Sequence, residues 1–333
     1  MSKRSRKIYQ QRIIMSDPRP PLVIAFTGWN TAPWLARFRA AGKGRAIIAL
    51  EDVGQPLPER WYLCCWKPDP AVLRRKPAPL LIASPGAGVD HILKANPPAH
   101  IPVTRIVDPD LTGRMVEYVV MGALYHQRQM TAYAGLQRDH RWKPLHQPAA
   151  REVTVGLMGV GALGQACAAG LKAVGFTVIG WGRTERQGLG FPAFHGNDGL
   201  EAFLAETDIL VSLLPSTPET RGLINADLLA RLRNPGPLGA PALINAGRGD
   251  TVNEADLLAA LRSGVLRAAS LDVFVTEPLP ADSPFWDLPN VVITPHSAAD
   301  SMPDSVVDAV LMEIDRFEAG LPPLNPVDRG RGY

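Results

Sequence analysis

The stretch VTVGLMGVGALGQACAAGLKAVGF, residues 153–176, constrains the fold more than any other part of the chain. An apolar run, VTVGLM, leads into Gly159, Gly161 and Gly164 with the spacing G-x-G-x-x-G. A helical pattern follows, with Leu163, Cys167, Leu171 and Val174 near one face. Strand, tight turn and helix in that order open a βαβ unit. The first glycine permits the turn, the second lets a ligand approach the backbone, and the third lets helix and strand pack closely. Amides at the start of such a helix point outward together with the positive end of its dipole. The ligand they suit is an anion, and the pattern fits the pyrophosphate of a dinucleotide. Gly159, Gly161, Ala162, Leu163 and Gly164 are therefore candidate cofactor-binding residues.

Short apolar runs alternate with helical patterns along nearly the whole chain. The first series is LVIAF (22–26), RAIIAL (45–50), WYLCCW (61–66), PLLIAS (79–84) and PVTRIV (102–107), with helical segments near 31–41 and 88–95. One long helix is expected over about 114–133. The second series is VTVGLM (153–158), FTVIGW (176–181), DILVSLL (208–214), ALINA (242–246), AASLDV (268–273) and NVVIT (290–294). Helical patterns at 225–233 and 254–264 separate some of these, Gly264 suits a helix C-cap, and a last helix is expected over about 300–319. Unbroken apolar strands with intervening helices indicate parallel sheets covered on both faces. At 333 residues two domains are expected. The expected architecture is α/β, with two Rossmann-like or flavodoxin-like domains and a cleft between them. Residues 1–110 plus 300–333 would form a discontinuous substrate domain, and 111–299 an NAD(P)-binding Rossmann domain.

Charge and cysteine usage exclude other classes. The formal net charge is +3, yet Lys3, Arg4, Arg6, Lys7 and Arg12 all fall within residues 1–16, which carry no acid. The rest has a slight acidic excess, so nucleic acid is not an expected partner. The basic segment reads as a disordered tail or an upstream start, with Met15 as a second possible start. No apolar stretch approaches the ~20 residues of a membrane-spanning helix. Cys64, Cys65 and Cys167 show no metal-ligand spacing and cannot all pair. Buried structural thiols in a reducing cytoplasm are expected, and no metal.

The strand after the glycine turn tells the cofactors apart. With NAD, an acid about 20 residues on binds the ribose 2′-hydroxyl. This strand ends Gly180-Trp181-Gly182-Arg183-Thr184, with no acid at that place. Arg183 can hold a 2′-phosphate with its guanidinium and Thr184 can add a hydroxyl, with further charge from Arg186. NADPH is the expected cofactor. NAD remains possible if Glu185 reaches the ribose.

Three later motifs supply reacting groups at strand ends. INAGRGD (244–250) carries Arg248, SLDVFVTEPLP (270–280) carries Asp272 and Glu277, and VVITPHSAAD (291–300) carries His296. Ligands of open α/β sheets lie beyond the carboxyl ends of the strands. Each type suits reduction of a 2-keto acid. Arg248 can bind the carboxylate or polarise the carbonyl. A histidine can protonate the carbonyl oxygen near neutral pH, and a carboxylate such as Glu277 fixes its tautomer and favours its charged form. In SPGAGVDHI (84–92), two glycines in a strand-to-helix loop expose amides able to hold a carboxylate. Trp66, Lys67 and Trp142 are lesser candidates for the substrate pocket.

From the glycine loop through LLPSTPETRGLINADLL, LINAGRGD, LDVFVTEPLP and TPHSAA, the sequence resembles the D-isomer-specific 2-hydroxyacid dehydrogenase family. WGRTER, the ending VDRGRGY and the short spacing from Glu277 to His296 resemble its glyoxylate/hydroxypyruvate reductase branch. The resemblance covers about residues 80–333 well and 15–80 loosely. It implies a catalytic set of Arg248, Glu277 and His296. It also implies Leu214, Pro215, Thr220, Ala246 and Asp272 at the cofactor, and Ala87 and Gly88 with Arg248 at the substrate. A small 2-keto or 2-hydroxy acid substrate and a homodimer follow from the same resemblance. Gly247 stands where that branch usually carries an aliphatic residue.

Overall fold

The computed structural model describes residues 19–54 and 57–332. The basic segment 1–16, Met15 and the final Tyr333 lie outside the described residues. The chain divides into two compact units, one reaching Asp110 and resuming at Ser301, the other Leu111–Asp300.

The first unit is built on five parallel strands: β1 (Leu22–Phe26), β2 (Ile47–Ala49), β3 (Tyr62–Trp66), β4 (Ile82–Ala83) and β5 (Val103–Thr104). Their order is β2-β1-β3-β4-β5, the flavodoxin-like arrangement. The run LVIAF is buried at every position because its alternate side chains enter two cores. Leu22, Ile24 and Phe26 pack with Phe38 and with Val306, Val310 and Ile314 of the helix Pro303–Glu318. Val23 and Ala25 pack with Trp61, Leu73 and Ile92 on the other face. PLLIAS and PVTRIV shorten to two-residue strands, since Pro79, Pro85 and Pro102 cannot donate to a ladder. Beyond β5 the chain's own end lies along the edge, with Val327 N–H donating to Val103 O at 2.9 Å.

The second unit holds seven parallel strands: β6 (Thr154–Met158), β7 (Thr177–Gly182), β8 (Ala193–His195), β9 (Ile209–Ser212), β10 (Ala242–Asn245), β11 (Ala268–Leu271) and β12 (Val291–Ile293). Their order is β12-β11-β10-β9-β6-β7-β8. This is the doubly wound dinucleotide-binding order, extended by one strand. Ile209 and Val211 enter one core with Cys167 and Leu171, while Leu210 enters the other with Phe203 and Leu243. All three cysteines are buried and free.

Two expectations are corrected, and two elements were not anticipated. The single helix over 114–133 is two helices, Pro109–Gln127 and Met130–Arg138, broken at Gln129, whose φ is 56°. Gln129 is held there by tertiary contacts: its amide donates to His146 O, and its Oε1 accepts from Arg267 at 3.1 Å. No glycine or proline marks this break. Val174 is not on the buried helix face, because the helix ends at Ala173 and Val174 caps it, 40% exposed. The edge strand β8 and the helix Gly196–Glu206 have no counterpart in the apolar pattern, since AFH is too short and too exposed to show one.

In the first unit the guanidinium of Arg45 makes a two-pronged contact with Glu318, both N–O distances being 2.8 Å. Burial would raise the Glu318 carboxyl, but the Arg45 hydrogen bond and charge outweigh it and hold the group below its ordinary value. The stabilisation is therefore full above about pH 4.3, the unfolded carboxylate value, and is lost as pH falls through the lower folded value. Glu318→Gln should cost about 1–3 kcal/mol at pH 7. Urea denaturation from pH 7 to 3 should show the gap between wild type and variant closing in the acid range.

Candidate active site

Five loops leave the carboxyl ends of β6, β9, β10, β11 and β12, which are neighbours in that order across the sheet. The order reverses between β6 and β9, so a crevice opens there. The glycine turn follows β6. Gly159 has φ +106°, and a Cβ on it would lie 3.1 Å from Leu213 O. A Cβ on Gly164 would lie 2.0 Å from Gly159 O. The protein itself thus demands glycine at both places. Gly161 differs, for a Cβ there meets no atom within 4 Å. The chain's own packing leaves room for a side chain there, and the open space suits the close approach of a pyrophosphate. Ala162 and Leu163 open the helix Ala162–Ala173; Ala162 is exposed and Leu163 leans on the core. The residues present fit a dinucleotide.

Arg183 and Thr184 follow the end of β7. Arg183 is half-exposed, with Nη1 3.7 Å from Glu219 Oε2. The Glu219 carboxyl is held below its ordinary value by the Thr217 hydroxyl, with a smaller contribution from Arg183. Arg186 has a second task, donating from Nη1 to Val160 O in the glycine turn at 3.2 Å. After β9, Leu214 is buried, and the Thr220 hydroxyl accepts from Thr217 N–H at 2.9 Å and donates to Pro215 O at 2.6 Å. Thr220 therefore shapes its own loop. Ala246 directly follows β10, with its side chain in the core and its N–H on Ser212 O.

The candidate reacting groups sit on the next three loops. A Cβ on Gly247 would lie 2.7 Å from Leu214 O, so the packing leaves no room for a side chain there. Arg248 is partly buried, and its Nη1 donates to Gly247 O at 2.9 Å. Its carbonyl accepts from Thr251 Oγ1 at 2.7 Å. A Cβ on Gly249 would lie 2.0 Å from the carbonyl carbon of Phe274, so the arginine loop lies directly against the Glu277 loop. Glu277 Oε1 accepts from Phe274 N–H at 3.1 Å, and Oε2 lies 2.8 Å from His296 Nδ1. His296 is half-exposed, with backbone at φ 54°. Its N–H donates to Asp272 O at 2.8 Å. The Asp272 carboxylate is buried, and its Oδ1 accepts from Thr294 Oγ1, Ser297 N–H and Ala298 N–H. Asp272 therefore braces the histidine turn, a role that sequence motifs do not reveal.

In the first unit, Ala87 and Gly88 lie partly buried in the loop after β4. Ser84 Oγ anchors that loop, accepting from Gly86 N–H at 3.2 Å and donating to Gly86 O at 3.0 Å. Trp66 presses on it, since a Cβ on Gly86 would lie 2.7 Å from the indole. Lys67 is exposed, and Trp142 of the second unit is fully exposed.

A family model described as the NAD binding domain of D-isomer specific 2-hydroxyacid dehydrogenases matches residues 120–298. The glyoxylate/hydroxypyruvate reductase A of Yersinia enterocolitica serotype O:8 / biotype 1B is 39% identical over 278 residues, 82% of this chain and 87% of that one. Its counterpart in Salmonella enteritidis PT4 is 40% identical over 311 residues, 92% and 97% of the two chains. The crystal structure of an NADPH-dependent glyoxylate/hydroxypyruvate reductase from Sinorhizobium meliloti, in complex with NADP and sulfate, is 45% identical with a TM-score of 0.88. That likeness covers 95% of this chain and 100% of that one.

The glycine geometry separates folding from binding. Gly161→Val should leave the melting temperature near wild type while weakening dinucleotide binding at least tenfold by fluorescence titration. Gly164→Ala, forced against Gly159 O, should instead lower stability by roughly 1–3 kcal/mol.

Proposed function

The chain belongs to the D-isomer-specific 2-hydroxyacid dehydrogenase family, and on that premise we propose that it reduces glyoxylate and hydroxypyruvate to the corresponding 2-hydroxy acids with NADPH. The observation that carries the reading is the 2.8 Å pair of His296 and Glu277, the glutamate standing on a loop packed against that of Arg248. The cofactor supplies the hydride when bound. Gly159, Gly161, Ala162, Leu163 and Gly164 would hold its pyrophosphate. Leu214, Pro215, Thr220, Ala246 and Asp272 would line it, and Arg183 and Thr184 would take the 2′-phosphate. The S. meliloti relative crystallised with NADP supports this choice.

Arg248 binds the keto acid and polarises its carbonyl, stabilising the negative charge that develops on oxygen. His296 gives that oxygen a proton from Nε2, while Glu277 holds Nδ1 and stabilises the imidazolium before transfer. We assign the cofactor to the unit Leu111–Asp300 and substrate-carboxylate recognition in the other unit to the amides of Ala87 and Gly88. The buried free thiols fit a reducing cytoplasm, which we take as the compartment. We assign a homodimer as well. The helix Met130–Arg138 buries none of its side chains, and Met121, Met130 and Trp142 stand exposed near it in sequence. An apolar surface of this kind suits a second copy of the chain.

His296→Ala should lower kcat roughly 10²- to 10⁴-fold in stopped-flow or steady-state NADPH oxidation. An unchanged kcat removes His296 from its role. Arg183→Ala should raise KM for NADPH about tenfold or more with little change for NADH, as loss of a charge-assisted contact requires. If NADH outperforms NADPH in the wild type, the cofactor assignment is wrong. Sedimentation velocity should give a dimer that the pair Met130→Glu and Trp142→Ser dissociates.

A further inference from the structure

Tyr118 lies on the helix Pro109–Gln127, buried in the core cluster that also holds Met115 and Val119. Phenylalanine would fill the same space, so the hydroxyl needs a reason of its own. Its oxygen is 2.9 Å from Thr294 Oγ1. Thr294 Oγ1 in turn is 2.6 Å from Asp272 Oδ1. The direction of these bonds follows from counting protons. Asp272 Oδ1 already accepts from Ser297 N–H at 2.9 Å and Ala298 N–H at 3.0 Å, so it is an acceptor. Thr294 has one hydroxyl proton and spends it on Asp272. Tyr118 must therefore donate to Thr294. A chain of aligned hydroxyls ending on a carboxylate strengthens each of its bonds.

The far end of this chain is the turn that carries His296. Thr294, Ser297 and Ala298 bracket the histidine, and all three give their protons to one carboxylate oxygen. The histidine's own N–H goes to the Asp272 carbonyl at 2.8 Å. Its backbone has φ 54°, a left-handed conformation that an L-residue keeps only when its surroundings hold it. We propose that Tyr118 is a positioning residue for His296, acting through Thr294 and Asp272 to hold the proton-donating imidazole in register with Glu277. The inference rests on the reading of His296 as the proton donor. Burial pushes the Tyr118 hydroxyl up to about 12, so it stays a donor well into the alkaline range.

The test compares wild type, Tyr118→Phe, Thr294→Val, the double variant and Thr294→Ser, with kcat expressed per folded molecule. Tyr118→Phe should lower kcat roughly 3- to 10-fold, the worth of one hydrogen bond, while KM for the keto acid changes less than twofold. The solvent deuterium isotope effect on kcat should rise, because proton delivery becomes slower relative to other steps. The double variant should be no worse than Thr294→Val alone, and Thr294→Ser, which keeps the hydroxyl, should stay near wild type. A tyrosine that merely fills the core would lower the melting temperature and leave kcat and the isotope effect alone; that result, or fully additive losses, overturns the proposal. If Tyr118→Phe does not fold, Thr294→Val against Thr294→Ser carries the same comparison. The His296 imidazole resonances, read by NMR without substrate, should move in Tyr118→Phe. Absence of wild-type turnover on any 2-keto acid would refute the proposed reaction, whereas unmoved resonances would refute the Tyr118 linkage.

Discussion

At Gly164, Gly247 and Gly249 the chain passes so close to another segment that a Cβ would lie 2.0 Å from Gly159 O, 2.7 Å from Leu214 O and 2.0 Å from the Phe274 carbonyl carbon. Backbone packed on backbone sets the spacing of the loops above the sheet. Parallel strands alone bring loop ends to about 4.8 Å intervals. Reaction geometry is less tolerant, since a misplacement of ~1 Å can cost about 10²-fold in rate. Glycine contacts remove that slack. They tie the pyrophosphate turn to its helix, the arginine loop to Leu214, and the same loop to the stretch leading into Glu277.

The ionisable groups of the second unit fall into two kinds. His296 and Glu277 remain accessible and touch each other, as the proposed proton transfer to a substrate requires. Others are sealed. Burial pushes the Cys167 thiol up to about 12. Burial, helped by the Arg267 charge, pushes His126 down to about 4. The imidazole, 2.9 Å from Ser270 Oγ, and the thiol are core groups whose charged forms burial disfavours.

The architecture was readable because unbroken apolar runs admit few alternatives. LVIAF and DILVSLL became strands buried on both faces, and the glycine stretch became strand, turn and helix. Arg248, Glu277 and His296 could be named because each motif sits at a strand end. What escaped was set by distant partners. Gln129 breaks a helix that its neighbours favour, through His146 and Arg267. β8 has no apolar run to mark it. Tyr118 and Thr294 are 176 positions apart in the chain, and nothing local distinguishes that tyrosine from core filler.

Sequence alone determined the βαβ character of the chain, the place of the glycine turn and which side chains stand as candidates at the strand ends. These follow from local rules: residue period, glycine at a required turn, and functional groups at the carboxyl ends of strands. Tertiary structure alone decided at which glycines the chain's own packing excludes a side chain and at which it leaves room for one. It also decided that Asp272 braces the histidine turn and that a helix hydroxyl reaches that turn. Those facts depend on which atoms meet across long stretches of chain, and no local pattern encodes a meeting of that kind.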